Sequence, residues 1–143
     1  MSDATLPLTK AQLQTLLDEA PFNQLLGLKV VKADPEREEL TVVASVRPEF
    51  ERLAGTGQWH GGPLAAIIDT VGDFALTMLI GRVLPTINFR VDYLRPATSA
   101  TVKAVARVRR NGRSVGLVDV DLYNDADVLL AVGRVTYATQ NGR

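Results

Sequence analysis

The residues most able to do chemistry lie in one short segment, His60-Gly61-Gly62-Pro63, followed by Asp69. Pro63 suits the first turn of a helix, because its missing N–H would have no partner there. A helix that begins here presents free backbone N–H groups, with no side chain at Gly61 or Gly62 to block them, and its dipole adds partial positive charge. We therefore expect this helix start to stabilise a carbonyl oxygen that becomes an oxyanion.

Asp69 is unusual because the sequence around it is almost wholly apolar. No basic residue lies three or four positions away, and the residue four positions later is another acid, Asp73. Burying an unpaired carboxylate is costly, so its presence requires a reason, and service as a general base is one. A helix acid that faces solvent or a partner arginine is the structural alternative. His60, at the mouth of the helix, can orient a carbonyl or hold the loop.

Two helices are predicted from capping signals and periodicity. Thr9 and Gln12 fit a capping box for an N-terminal helix, within a helical lead-in over residues 1–26. Apolar residues from Leu64 to Ile80 nearly encircle the second helix, which is typical of a buried helix, and Gly81 ends it.

The rest of the chain predicts strands that are long, alternating and rich in valine. We expect a single α+β domain over residues 1–143, with an antiparallel sheet around one long buried helix. Such a sheet has exposed edges and a second face to cover, so we expect at least a homodimer, with dimer or tetramer left open. The predicted strands are Leu28–Ala33, Glu39–Val46, Thr86–Leu94, Thr101–Arg109, Ser114–Tyr123 and Val128–Tyr137.

One hairpin has a register that can be predicted. A three-residue loop, Arg110-Asn111-Gly112, with Gly112 in the left-handed conformation, keeps the valines and alanines of its two strands on one face. This register places Lys103 opposite Asp119.

The segment His60-Gly61-Gly62 with an acid nine residues after the histidine resembles the hotdog-fold acyl-CoA thioesterases, in particular the PaaI-like branch. The resemblance extends over most of the chain, including residues 21–27, residues 87–97 and the last three strands. It implies a sheet wrapped around the helix, pairing into dimers, and two active sites at the subunit interface. It also implies hydrolysis of an acyl-CoA to a free acid and coenzyme A.

The resemblance assigns roles residue by residue. Asp69 is implied as general base or nucleophile, the Gly61 N–H as the donor to the thioester carbonyl, and His60 as a residue that assists there or fixes the loop. Thr86 falls where the family often has a hydroxyl that helps to hold the attacking water. Many relatives carry an asparagine six residues before the histidine; this chain has Ala54 there, and Gln58 is the amide that could replace it.

Net charge is zero, but residues 82–113 carry eight basic side chains against one acid, whereas residues 1–60 carry six against nine. This local excess indicates a polyanionic ligand more than nucleic acid. Coenzyme A carries phosphates, so the resemblance makes these arginines candidates to bind it. Gly62 is a further candidate substrate contact, Trp59 a core residue or a wall of the acyl pocket, and Asp73 an interface ion pair or a pocket rim. The arginine candidates are Arg90, Arg95, Arg107, Arg109, Arg110 and Arg113.

Composition excludes several classes of site. The chain has no cysteine and one histidine, which excludes a disulfide scaffold, a thiolate zinc site, a cysteine nucleophile and a multi-histidine metal site within one chain. We expect no metal or redox cofactor, with coenzyme A present only as part of the substrate. No signal peptide is visible, and Asp69 and Asp73 disfavour a membrane span, so we expect a cytoplasmic protein with no membrane or nucleic-acid partner.

Three alternatives compete with this interpretation. Gly112 to Gly116 matches G-x-S-x-G, but an α/β-hydrolase elbow needs a helix after it and a later histidine, and neither follows. A non-catalytic module that binds or senses acyl-CoA would give saturable binding without thiol release. A hotdog hydratase or dehydratase usually pairs a histidine with an acid at a different spacing.

Overall fold

The computed structural model describes residues 4–141 and contains all the predicted helices and strands, with ends shifted by a few residues. The helices are α1 (Lys10–Glu19), α2 (Pro21–Leu26) and α3 (Gly61–Ile80). The strands are β1 (Lys29–Asp34), β2 (Glu39–Ser45), β3 (Thr86–Tyr93), β4 (Thr101–Asn111), β5 (Val115–Asn124) and β6 (Leu129–Ala138).

The six strands form one antiparallel sheet in the order β1-β2-β4-β5-β6-β3. The strand that follows α3 therefore lies at the edge of the sheet, opposite β1. Helix α3 packs on the sheet, and its buried side chains meet the inward-facing alanines and valines of β4 and β5. The predicted α+β architecture, an antiparallel sheet around one long helix, is confirmed.

Helix α3 is long and apolar enough by composition to cross a membrane, but it packs as the core helix of this sheet. It begins at Gly61, with Pro63 in its first turn as predicted, and Gly81 ends it with a φ of 88°. The sheet approaches it closely: a Cβ added at Gly133 on β6 would lie 2.5 Å from Cγ2 of Ile68. This close approach fixes which face of α3 packs on the sheet.

Helix α1 covers the β1 end of the structure. Its capping box is confirmed, because Thr9 Oγ1 accepts the Gln12 N–H and Gln12 Oε1 accepts the Thr9 N–H. The Gln14 side chain then bridges α1 to β1, donating to the Leu28 carbonyl and accepting the Val30 N–H. Helix α2 ends at Gly27, whose φ is 65°.

The predicted register of the β4–β5 hairpin is wrong by four residues. Lys103 lies opposite Tyr123, and it is Arg107 that faces Asp119. Gly112 is not among the glycines with positive φ, and the turn lies later, closed by the bond from the Gly112 N–H to the Val115 carbonyl. An irregularity between Val108 and Arg110 shifts the pairing. The predicted face is nevertheless correct, because a shift of four residues preserves the alternation of a strand.

Candidate active site

The start of α3 leaves one backbone donor without a partner. His60 is the N-cap, and its Nδ1 accepts the Gly62 N–H at 3.0 Å, so the neutral ring carries its proton on Nε2. Pro63 has no N–H, and Leu64 is the first residue able to bond back to the His60 carbonyl. Among residues 4–141, no partner is found for the Gly61 N–H. This donor is therefore free for a ligand.

The Gly61 donor lies at the wall of a cleft of about 380 Å³. The cleft brings together five residues singled out from the sequence, and it adds Arg52, Leu64 and Tyr93, which were not predicted. The predicted residues in its lining are Gln58, Trp59, His60, Gly61 and Arg95.

Two aromatic side chains lie at the helix start. The Tyr93 hydroxyl donates to the Gly61 carbonyl at 2.6 Å, and burial raises the pKa of this hydroxyl, which keeps it a donor. A Cβ at Gly61 would lie 3.1 Å from the same oxygen, so the position has little room for a side chain. Trp59 is buried, stacks on Phe50 and donates its indole N–H to the Ser99 carbonyl at 2.9 Å. Trp59 is therefore mainly a core residue with an edge on the cleft.

A carboxylate side chain binds the backbone of the loop that precedes α3. Glu51 Oε2 accepts the backbone N–H groups of Thr56 at 2.9 Å and Gly57 at 3.2 Å. The loop then delivers Gln58 to the cleft, whereas Ala54 is exposed. An amide therefore reaches the cleft from position 58 instead of position 54.

Asp69 lies two turns further along α3 and is half-buried. Its Oδ1 accepts a hydrogen bond of 2.7 Å from the hydroxyl of Thr86, at the start of β3. The structure thus places the hydroxyl of Thr86, which the resemblance assigned to holding the attacking water, on the carboxylate of Asp69. The second carboxylate oxygen of Asp69 has no partner among the described residues.

Tyr137 of β6 holds the backbone of α3 at Asp69. The buried Tyr137 hydroxyl donates to the Asp69 carbonyl oxygen. Burial, with Asp69 and Asp73 nearby, raises the pKa of Tyr137 well above its ordinary value. Gly72 makes this contact possible, because a Cβ there would lie 2.4 Å from the hydroxyl oxygen.

Asp73 is engaged within the chain, not at the rim of the cleft. Its Oδ1 accepts the Leu84 N–H at 3.0 Å and lies 3.1 Å from Thr77 Oγ1. Burial raises the pKa of Asp73 to about 7, and the charge of Asp69 adds to that rise. The predicted role of Asp73 as a pocket rim is therefore not seen in this chain.

Most of the predicted arginines lie away from the cleft. Five charged residues on neighbouring strands form a row across the outer face of the sheet. The charges of the first four alternate in sign, and the arginines of the row form ion pairs with acids. Arg109 pairs with Asp119 on the same face. The structure therefore does not bring Arg90, predicted as a substrate contact, to the helix start. The row consists of Glu39, Arg107, Asp119, Arg134 and Arg90.

Arg110 and Arg113 lie at the β4–β5 hairpin, beside the other end of α3. A Cβ at Gly116 in this hairpin would touch Leu76 of α3, about 22 Å along the helix axis from Gly61. Within one chain these two arginines do not reach the cleft. Arg95, whose Nη1 donates to the Leu129 carbonyl, and the unpredicted Arg52 are the arginines that line it.

Of the residues that sequence reasoning missed, one had a signal. Gly72 lies in the middle of α3, where glycine lowers helix stability by about 1 kcal/mol relative to alanine. A glycine at such a position indicates that another group approaches the helix closely there. The approaching group is Tyr137. Arg52 and Tyr93 had no comparable signal, because only the fold brings them to the start of α3.

Comparison with known proteins identifies a family and several similar proteins. Residues 56–138 match the Thioesterase superfamily. The medium/long-chain acyl-CoA thioesterase YigI of Escherichia coli K12 is 27% identical over an alignment of 138 residues, which covers 82% of this chain and 84% of YigI. Human acyl-coenzyme A thioesterase 13 is 29% identical over 120 residues, 80% of this chain and 82% of that protein.

The fold has a solved counterpart. The E. coli PaaI protein from the phenylacetic acid degradation operon superposes with a TM-score of 0.77, at 24% identity, over 90% of this chain and 91% of PaaI. The hotdog fold expected from the His60-to-Asp69 motif is thereby confirmed, and the family match covers both the motif and the four strands that follow it. The chain belongs to the thioesterase superfamily.

Proposed function

We propose that this protein hydrolyses acyl-CoA thioesters to a free carboxylic acid and coenzyme A. The observation that carries the proposal is the unpartnered Gly61 N–H at the positive end of α3, open to the cleft. A donor fixed in this way can stabilise the oxyanion that forms when a thioester carbonyl is attacked. Asp69, bonded to Thr86, supplies the base or the nucleophile.

The site needs two copies of the chain. Gly61 and Asp69 are eight residues apart on one straight helix, which separates their backbones by about 12 Å. An oxyanion donor and a base must each lie about 3 Å from the reacting group, so one chain cannot place both on the same carbonyl. We therefore assign the donor to one subunit and Asp69 to its partner in a homodimer.

Strand β3 offers the surface for that pairing. It is hydrogen-bonded to β6 on one side, and no strand of residues 4–141 pairs with its other side. Large apolar side chains on and beside this edge are about half exposed, which is unusual for an edge strand that stays uncovered. These residues are Ile87, Phe89, Tyr93 and Leu94.

The chemistry follows from the two groups. Asp69 takes a proton from a water molecule, whose oxygen attacks the thioester carbonyl while the Gly61 N–H binds the developing oxyanion. The tetrahedral intermediate collapses, the C–S bond breaks, and the thiolate of coenzyme A takes up a proton. In the alternative route the Asp69 carboxylate attacks directly and water then hydrolyses the anhydride. Arg52 and Arg95, at the cleft, are the cations that we assign to the phosphates of coenzyme A.

The first test is a thiol-release assay against a panel of aromatic and straight-chain acyl-CoAs. Hydrolysis of at least one class, with release of stoichiometric thiol, is the expected result. Saturable binding without thiol release would identify a binding module instead. Hydration of an enoyl-CoA without thiol release would identify a hydratase.

The second test separates the Gly61 N–H from the space around it. Gly61→Pro removes the N–H at the first helical position, whose backbone conformation suits proline, and adds ring carbons beyond Cβ. Gly61→Ala adds the Cβ that meets Tyr93 but keeps the donor, so it controls for the contact with Tyr93. We expect Gly61→Pro to have a kcat roughly 10²–10³-fold below that of Gly61→Ala, the usual loss for one oxyanion donor. Equal rates for the two variants would remove the Gly61 N–H from the mechanism.

Mixing two inactive variants tests the shared site. A hybrid dimer of Gly61→Pro and Asp69→Asn chains contains one site with both wild-type groups, provided that donor and base come from different chains. It should recover about half of the wild-type activity per dimer. If both groups acted from one chain, the hybrid would stay inactive.

A further inference from the structure

Asp73 links the middle of α3 to the connection that leads into β3. Its Oδ1 accepts the Leu84 N–H, and Thr77 Oγ1 lies 3.1 Å from it. The same Thr77 oxygen lies 3.1 Å from the carbonyl oxygen of Arg82. Thr86, which holds Asp69, follows Leu84 by only two residues. The position of Thr86 therefore depends on the contacts of Asp73.

Counting hydrogens shows which form of Asp73 fits these contacts. Thr77 has one hydroxyl hydrogen, but its oxygen lies within bonding distance of two acceptors if Asp73 is ionised. A proton on Asp73 Oδ1 removes the conflict. The acid then donates to Thr77 Oγ1, the Thr77 hydroxyl donates to the Arg82 carbonyl, and Oδ1 still accepts the Leu84 N–H.

The charges around Asp73 also favour the neutral form. Asp69 lies one turn earlier on α3, and the phenol of Tyr137 approaches from β6. From the connection after α3, the Arg82 guanidinium turns away and donates to the Thr139 carbonyl. No lysine or arginine of residues 4–141 lies within ion-pair distance of Asp73. Burial, which raises the pKa of this carboxyl to about 7, acts in the same direction.

We propose that Asp73 carries a proton in the active form of this enzyme and is a positioning residue for Asp69. The acid holds the connection 82–84, so that Thr86 stays on the Asp69 carboxylate. Because Asp73 is neutral in this form, it adds no second negative charge one turn away from Asp69. When Asp73 ionises, the Thr77 hydroxyl turns to it, the Arg82 carbonyl loses its donor, and the two carboxylates repel each other. The effect on rate rests on the proposed thioesterase function, whereas the protonation state does not.

The protonation state can be measured without any substrate. An infrared difference spectrum of wild type minus Asp73→Asn, at about pH 6, should show the C=O stretch of a protonated carboxyl group, and this band should disappear as the pH rises past about 7. Asp92→Asn, which removes a carboxyl group paired with Arg90 on the outer face of the sheet, is the control and should leave the Asp73 band unchanged. If the Asp73 difference spectrum also contained only carboxylate bands at every pH, the proposal would be wrong.

Kinetics test the positioning role. The amide oxygen of Asp73→Asn can still accept the Leu84 N–H without carrying a charge, although the amide donors lie on the other atom of the group, whereas Asp73→Ala has no oxygen to accept this bond. We expect Asp73→Asn to keep kcat within a few-fold of wild type at about pH 6 and to lose less of it at about pH 8.5. Asp73→Ala should lose roughly 10-fold or more at both values, with exchange of the Leu84 amide hydrogen accelerated.

Two outcomes of these kinetics contradict the proposal. One is a loss of kcat in Asp73→Asn as large as that in Asp73→Ala, because the site would then need a carboxylate. The other is a pH profile of Asp73→Asn parallel to that of wild type. If no variant and no wild type released thiol, the infrared result would still stand, and only the proposed function would fail.

Discussion

Two aspartates one turn apart on α3 have opposite environments. Asp69 accepts one hydrogen bond, from Thr86, and its other carboxylate oxygen has no partner among the described residues. Asp73 has its Oδ1 occupied by the Leu84 N–H and lies against Thr77, in surroundings that raise its pKa to about 7. The difference shows that the role of a helix acid is decided by the groups that the next strand brings to it. The sequence around the two residues is equally apolar.

The largest expected contrast between the two acids is kinetic. Asp69→Asn should lower kcat about 10²–10⁴-fold, because an amide can neither accept the proton of water nor attack the thioester. Circular dichroism and the unfolding midpoint should stay close to wild type. Steady-state thiol release against the best acyl-CoA measures the effect. An Asp69→Asn enzyme as fast as wild type would exclude Asp69 as base or nucleophile.

A single turnover in water enriched in heavy oxygen sharpens the role of Asp69. If Asp69 is a general base, the label appears in the released acid after the first turnover. If it is the nucleophile and water attacks the Asp69 carbon of the anhydride, the label remains on the Asp69 carboxylate. Mass spectrometry of the acid and of the peptide that contains Asp69 measures both, and label on Asp69 identifies the nucleophilic route, whereas label in the acid alone fits a general base or attack of water on the acyl carbon of the anhydride.

The second contrast is in stability against pH. Asp73 ionises near 3.8 in the unfolded chain and near 7 in the folded one, so between these values the folded state binds more protons. The free energy of unfolding should therefore fall as the pH rises from about 4 to about 7, by up to about 4 kcal/mol, and level off above that. Asp73→Asn should not show this loss. Urea unfolding of both proteins at several pH values gives the comparison, and parallel curves would show that Asp73 titrates alike in the folded and unfolded chains.

A smaller contrast concerns the partner of Asp69. Thr86→Val removes a hydrogen bond to a carboxylate, which is worth about 1.5–3 kcal/mol, so kcat should fall roughly 10–100-fold. Thr86→Ser should restore most of the rate. Thr136→Val, on the neighbouring strand β6, is a matched control that leaves Asp69 untouched. A rate for Thr86→Val equal to that of the control would mean that the hydroxyl only packs.

The sequence predicted the order of elements and the start of α3 because both depend on local rules. Periodicity placed the strands, and Pro63 and Gly81 marked the helix ends to within three residues. The face of each hairpin strand was also predictable, but its register was not, because the turn is closed between Gly112 and Val115 and not at Arg110-Asn111-Gly112. The irregularity between Val108 and Arg110 changes the pairing by only one residue. The alternation that places Arg107 on the outer face was present in the sequence, yet Arg107 was still a candidate for phosphate binding, and the structure pairs it with Glu39 and Asp121.

The site was predictable only in part. Helix geometry predicted the free N–H of Gly61. The lack of a basic partner for Asp69 within the helix predicted that this carboxylate has a function. The role of Asp73 was not accessible, because its partners are the backbone N–H of Leu84 and the hydroxyl of Thr77, and Thr77 in turn contacts the Arg82 carbonyl. Neither backbone group carries a side-chain signal. Arg52 likewise reaches the cleft only through the fold of its loop.

The smallest expected effect lies between the two aspartates, where Tyr137 approaches the helix backbone. Gly72→Ala places a Cβ 2.4 Å from the phenol oxygen, so it should destabilise the protein by about 1–3 kcal/mol, although alanine favours a helix by about 1 kcal/mol over glycine. Adding Tyr137→Phe removes the clashing oxygen and should restore part of the loss. Urea unfolding of the two single variants and the double variant measures this coupling. If Gly72→Ala were as stable as wild type, the helix would have room to move off the sheet, and the turn that carries Asp69 would not be fixed by Tyr137.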